Sequence, residues 1–193
     1  MNSDILTVLF FSYFIGSIPF GLILSKVFLK KDIRKLGSGN IGATNVLRAG
    51  TKLLAGLTLF FDVAKGFVVI YFVKQFNSEL IFFSGLLCLI GHIFPIWLKL
   101  KGGKGVATYL GIVLALSFNL SLVFGLSWII IFFLSRYSSL ASIFSSLNVF
   151  LFAFFSDKIA PDFIYFTFFI IIIFTHRENI LRLKNKNETK IKF

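Results

Sequence analysis

Apolar runs recur along the chain at about 4–29, 51–73, 79–98, 105–117, 120–135, 139–155 and 160–175, and short polar connections separate them. Crossing the hydrocarbon of a bilayer takes roughly 20 helical residues. The stretch 105–135 holds no charged residue; as a single helix it would be about 46 Å long, too long for a core of ~30 Å without heavy tilt. Cutting it at Ser117–Asn119 gives two short helices instead. The pattern predicts an all-α polytopic membrane protein with seven transmembrane helices, some of them short, in one integral membrane domain spanning 1–193.

Charge decides between seven spans and six, because Lys and Arg flank the cytoplasmic ends of membrane helices. With seven, the connection 30–50 carries Lys30, Lys31, Arg34, Lys35 and Arg48, and 99–104 carries Lys99, Lys101 and Lys104. Arg136 lies in 136–138, and Arg177, Arg182, Lys184, Lys186, Lys190 and Lys192 follow the last run. The other side receives Asp4, Lys74, Glu79, Asp157, Lys158 and Asp162. This alternation predicts an outside N-terminus and a cytoplasmic C-terminus. Six spans would put the basic tail opposite the lysines of 99–104. The polar segments "RKLGSGNIGATNVLR", "KLKGGKG", "RYSSLAS" and "HRENILRL" then share the cytoplasmic face.

Composition agrees. The hydrophobic fraction is 57% and mean hydropathy +0.91, against roughly 45–50% apolar residues in ordinary soluble domains. The start of the chain has no positive region ahead of its apolar run and no small-residue cleavage site after it, so it reads as a first span rather than a removable signal. A formal net charge of +12 would suggest nucleic acid in a soluble protein; here the basic residues flank apolar runs, and no nucleic-acid partner is expected. Two histidines and a single cysteine, Cys88, exclude a disulfide and argue against zinc, and no cofactor is expected.

Two motifs are decoys. Gly37–Gly42, "GSGNIG", spells G-x-G-x-x-G with Asp62 twenty residues beyond, but a dinucleotide fingerprint needs a strand before the glycines and an acid ending a second strand. "GGKG" resembles a Walker loop, yet Gly105 follows Lys104 where Ser or Thr is required, and Leu98 stands where the first glycine belongs. What survives is a lysine between glycines at a helix start, which suits an anion as well as it suits a topological turn.

Other polar groups carry similar double readings. Ser38, Asn40, Thr44, Asn45 and Arg48 serve turns and caps or a phosphate ligand, for which the Arg48 fork is suited. Ser139 and Ser142 share a helix face, as do His176 and Asn179. His92, just ahead of Pro95, reads as structural. Asp62 and Lys65, i and i+3 inside the second run, can pair, either to hold helices together or to serve the site.

Together, "GSIPFG", "LGSGNIGATNVLRAG", "FDVAKG", "GHIFPIWLKLKGGKGVAT", "RYSSLASI" and "HRENILRL" resemble, in this order and over nearly the whole chain, the bacterial acyl-phosphate-dependent glycerol-3-phosphate acyltransferase family. The resemblance implies a seven-span enzyme of the bacterial cytoplasmic membrane with its active site on the cytoplasmic face. It would transfer an acyl chain from acyl phosphate to the 1-hydroxyl of sn-glycerol 3-phosphate, giving lysophosphatidate and phosphate. It further implies catalytic roles for Ser38, Arg48, Lys104, His176 and Asn179. Substrate binding would fall to Asn40, Thr44, Asn45, Gly102, Gly103, Gly105, Ser139 and Ser142. Membrane lipid and a soluble acyl-phosphate-forming enzyme are the implied partners. Glu188 matches a family glutamate of structural role, whereas Lys186 stands where the family has glycine.

The chemistry suits these residues, because acyl phosphate brings its own leaving group and asks for positioning and electrostatic stabilisation. Neither a cysteine nor a serine with histidine and acid partners points to an acyl-enzyme, so direct transfer is expected. The attacking hydroxyl's proton goes to His176 or to the substrate's own phosphate, with substrate assistance favoured. A transporter of a small phosphorylated anion is the competing reading; it calls for midplane ligands and internal repeats, and no two-half repeat is evident.

Overall fold

The computed structural model describes residues 3–156 and 162–191. Asp157, Lys158 and Lys192 of the charge pattern lie outside the described residues, as do positions 160–161 of the last apolar run. The described residues form helices and turns without a strand, which removes the dinucleotide fingerprint from consideration. They fall into two compact units, 1–115 and 116–193.

The first unit holds α1 (Ser3–Gly16), α2 (Phe20–Leu29), α3 (Ala43–Ala49), α4 (Lys52–Phe76), α5 (Ile81–Ile93) and most of α6 (Val106–Leu116). The run 4–29, expected as one helix, is broken: α1 and α2 are bent by 40°. Pro19 causes the break, since it has no N–H to donate and disfavours helical geometry at Ile18. Two distant donors satisfy carbonyls left over there. Trp97 Nε1 donates to Ser17 O at 2.7 Å and Lys65 Nζ to Ile18 O at 2.9 Å. Broken backbone inside a membrane is tolerated only where protein partners replace the lost bonds.

The run 79–98 is likewise shorter as a helix than expected. α5 ends at Ile93, and a separate 3-10 turn covers Ile96–Leu98 after Pro95. Small residues bring the helices close. A Cβ on Gly16 or Gly91 would collide with the facing backbone of α5 or α1, and one on Gly66 or Gly111 with that of α6 or α4. Cys88 is free and fully buried in this packing.

The second unit holds α7 (Phe118–Ser135), α8 (Ser138–Phe154), α9 (Asp162–Thr175) and α10 (Arg177–Lys184). Ser117 interrupts 105–135 where the length argument placed the cut; it is extended and caps α7 by accepting from Leu120 N at 3.4 Å. Trp128 Nε1 donates to Ser142 Oγ at 3.1 Å and Asn148 Nδ2 to Ser127 Oγ at 3.0 Å, bridging α7 and α8. The tail after α10 returns to this pair: Ile191 N donates to Arg136 O at 3.1 Å, and Ile191 packs with Phe132 and Ala141.

Polarity runs opposite to that of a soluble protein. Phe28, Phe60, Phe133 and Leu134 are exposed, while Thr58, Asp62, Lys65, Ser145 and Ser146 are buried. Lipid receives the former at no cost; among the latter, Thr58, Ser145 and Ser146 donate to carbonyls of their own helices, and Asp62 pairs with Lys65, which also reaches Ile18 O and His92. Among the described residues three elements are long and apolar enough to cross a membrane, five if each bent pair is one crossing; α6 and α8 are shorter apolar helices.

Candidate active site

The first polar segment is built around Asn45, 1% exposed in α3. Its Nδ2 donates to Ile33 O, Leu36 O and Asn40 O at 2.9, 3.0 and 2.7 Å, and its Oδ1 accepts from Ser38 N at 2.9 Å. One carboxamide thus folds the loop 33–42 over the start of α3. Gly37 needs both its left-handed φ of 55° and its missing side chain, because a Cβ there would strike Asn45 Oδ1. Asn40 Oδ1 accepts from Ile41 N at 2.8 Å. Ser38 and Arg48 are exposed on the outside of this frame, with Thr44 half-buried. Asp32 caps the preceding turn: Oδ2 accepts from the Arg34 guanidinium at 2.6 Å and Oδ1 from Arg34 N at 3.0 Å. The Arg34 hydrogen bond outweighs desolvation and holds the Asp32 carboxyl well below the usual carboxylate range.

The second segment folds back on α5. Lys99 and Leu100 take left-handed backbone, after which Gly102 N donates to Ile93 O at 2.9 Å and Gly103 N to His92 O at 3.0 Å. The amides of those two glycines are engaged within the fold, which fixes the path of the turn that leads to Lys104. Their lack of side chains has a packing reason: a Cβ on Gly102 would meet His92 O, and one on Gly103 would enter the His92 ring. Gly105, at φ 81°, accepts from Tyr109 N at 2.7 Å as α6 begins. Lys104, half-buried, stands just before that helix start, where amides and dipole favour negative charge. Leu98 packs against the cluster of Leu22, Ile33, Ile41 and Val46, which ties this segment to the first one.

In the second unit, the third group gathers on a residue outside the expected set. Glu188 Oε1 accepts from Ser139 Oγ at 2.9 Å and Asn179 Nδ2 at 2.6 Å, and Oε2 accepts from Arg182 Nε at 2.7 Å. Its side chain is 7% exposed. Burial pushes the Glu188 carboxyl up, but the hydrogen bonds from Arg182, Asn179 and Ser139, with the Arg182 charge, more than offset it and hold the carboxyl below its ordinary value. Lys186, where a glycine is expected, adopts left-handed φ of 57°, so the turn keeps the glycine conformation without the glycine. His176 Nδ1 lies 2.8 Å from Ile172 O; a carbonyl accepts only, so Nδ1 carries the proton and Nε2 the lone pair of the neutral ring. Ser142 donates to Ser138 O at 2.8 Å while its oxygen accepts from Trp128 Nε1 at 3.1 Å, which places it between α7 and α8.

The expected residues therefore form three local groups: Ser38, Asn40, Thr44, Asn45 and Arg48; Gly102–Gly105; and Ser139, His176 and Asn179. Among the described residues no cluster of three or more His, Cys, Asp or Glu side chains could hold a metal. Two residues expected to be structural rather than ligands take part, Glu188 as acceptor and His92 as the wall behind Gly103. An acid within a basic tail is the signal for the first; a histidine three residues before a proline gives little signal for the second.

Comparison with known proteins places the whole chain in a family. The glycerol-3-phosphate acyltransferase family model matches residues 6–186. The chain is 50% identical over 189 residues to the glycerol-3-phosphate acyltransferase of Pelagibacter ubique (strain HTCC1062), covering 98% of each chain. It is 46% identical over 187 residues to that of Ehrlichia canis (strain Jake), covering 96% of this chain and 97% of the relative. Crystal structures of PlsY (YgiH), an integral membrane glycerol 3-phosphate acyltransferase, share its fold at 40% identity over 98% of this chain and 96% of theirs. The TM-score is 0.92 for the glycerol 3-phosphate form and 0.89 for the lysophosphatidic acid form. With its motifs in order and its fold shared over nearly its full length, the chain belongs to the glycerol-3-phosphate acyltransferase family.

Proposed function

We propose that this protein transfers an acyl group from acyl phosphate to the 1-hydroxyl of sn-glycerol 3-phosphate, giving 1-acyl-sn-glycerol 3-phosphate and phosphate. The observation that carries the reading is its likeness, at 40% identity, to PlsY in forms with glycerol 3-phosphate and with lysophosphatidic acid. The protein forms a single acyltransferase domain that crosses a bacterial cytoplasmic membrane seven times, with its basic connections and C-terminus in the cytoplasm. That orientation rests on Lys30, Lys31, Arg34, Lys35, Lys99, Lys101 and Lys104 flanking one side. The acyl donor enters from lipid or from a soluble acyl-phosphate-forming enzyme on the same face.

Roles follow from what each group offers. Arg48 presents a bidentate fork to a phosphate, and Ser38 and Thr44 offer hydroxyls beside it. Lys104, with the first amides of α6, neutralises the acyl phosphate and the phosphate it releases. Asn45, Gly102 and Gly103 support these groups from behind. Glu188 orients Ser139 and Asn179, and His176 offers an Nε2 acceptor. Ser139 donates to Glu188 and Ser142 to Ser138 O, so neither is paired with a histidine base as an acyl-enzyme would need, and transfer is direct. The hydroxyl's proton passes to the donor's phosphate, whose second pKa near 6 suits it, and His176 orients.

Purified protein given acyl phosphate and glycerol 3-phosphate should release phosphate and lysophosphatidate in equal amounts, with intersecting initial-rate lines. Parallel lines would point to an acyl-enzyme, and turnover with acyl-CoA but not acyl phosphate would replace the donor. His176→Gln should raise KM and keep most of kcat; loss of kcat alone would make His176 the base.

A further inference from the structure

A buried charged group in the first unit has no part in the roles above. Asp62 and Lys65, on successive turns of α4, form an ion pair of 2.7 Å with side chains 3% and 2% exposed. Burying such a pair gains little stability over apolar packing of the same volume, and an ionisable residue inside a membrane helix marks a function by default. Around the Lys65 ammonium lie its ion-pair partner Asp62 Oδ1 at 2.7 Å and two hydrogen-bond partners, Ile18 O at 2.9 Å and His92 Nδ1 at 2.8 Å. With its ammonium paired to Asp62, Lys65 donates to Nδ1, so Nδ1 holds a lone pair and the His92 proton sits on Nε2. That edge of the ring faces Gly103, so closely that a Cβ there would overlap Nε2. The backbone beside the ring is fixed too, because His92 O and Ile93 O accept from Gly103 N and Gly102 N. The charge network of α4 thus ends against the back of the glycine turn that presents Lys104.

We propose that Asp62, Lys65 and His92 are positioning residues for the turn 102–105: the ion pair orients the His92 ring, and the ring holds the turn in the form that receives a phosphorylated substrate. The proposal rests on the reading of that turn and Lys104 as the acyl-phosphate element. Lys65 acts through His92, and neither touches the reacting atoms. The same lysine closes the α1–α2 break, which couples the first span to the turn.

The test uses the full-length protein in detergent. His92→Phe keeps the ring and removes both nitrogens, whereas His92→Asn retains an acceptor near the Nδ1 position. His92→Phe should raise KM for acyl phosphate about tenfold or more with kcat within threefold of wild type, and His92→Asn should recover most of that loss. Hydrogen–deuterium exchange over 99–106 should quicken in His92→Phe and in Asp62→Asn, with α7–α10 unchanged. A monodisperse His92→Phe protein with wild-type KM and unchanged exchange over 99–106 overturns the proposal. Failure of the underlying reading shows separately: Lys104→Ala with normal turnover removes the phosphate role of the turn, whereas a dead Lys104→Ala beside a wild-type His92→Phe removes the coupling alone.

Discussion

At Asn45 a single carboxamide replaces what would otherwise be a small core. Its amide nitrogen faces three carbonyls and its oxygen faces the Ser38 amide, so the side chain cannot be swapped for an isostere of different polarity. Asn45→Asp would turn a carboxylate toward three oxygens; we expect a loss of about 3 kcal/mol in stability and more than tenfold in activity, read by thermal melting and by phosphate release. Lys186 offers the opposite case. Its φ of 57° belongs to the region that glycine occupies without strain. Lys186→Gly should leave stability unchanged or raise it by up to about 1 kcal/mol, measured by the same melts. The motif residues were legible as a set because polar groups in an apolar chain need reasons. Their division into ligand and support was not, since Asn45 and Ser142 differ from Ser38 only in what the fold places around them.

At the scale of elements, the tail and α10 depend on one acid. The Glu188 carboxyl lies below its unfolded value, so its contribution is fully present above about pH 4.3 and is lost as pH falls through the lowered folded value. Pulsed hydrogen exchange over 183–191 should therefore match between pH 7 and pH 5.5, after correction for intrinsic rates, and lose protection only as pH falls below the ordinary glutamate range. Glu188→Gln turns an amide toward Arg182 and should loosen the same segment at neutral pH by about 2 kcal/mol. Helix ends were legible where length or capping spoke, as at Ser117, whose hydroxyl caps α7. The breaks at 17–19 and 94–95 were less so, because hydropathy continues through Pro19 and Pro95 while the backbone does not. The short helices α3 and α10 escape a hydropathy reading because each is short, mixes polar with apolar residues and stands outside the apolar runs.

For the whole molecule, the basic connections define the prediction. With Cys88 fully buried, Lys35→Cys and Asn187→Cys should react with an impermeant maleimide only after cells are opened, and Asn77→Cys in intact cells. Labelling of Asn187→Cys from outside would reverse the orientation. Fold class was legible from the apolar runs and the family from the order of its motifs, whereas the buried charges of α4 needed coordinates to find partners 27 and 47 residues away.

The break between α1 and α2 also has a history in time. The donors that close it arrive late in synthesis, Lys65 47 residues after Ile18 and Trp97 80 residues after Ser17. Until then the first span lacks those two donors at its break, a state that bilayers penalise. The bend between α1 and α2 is thus completed only once α4 and the turn after α5 are made. A nascent chain halted before residue 97 should remain with the insertase, while one extended past it should be released.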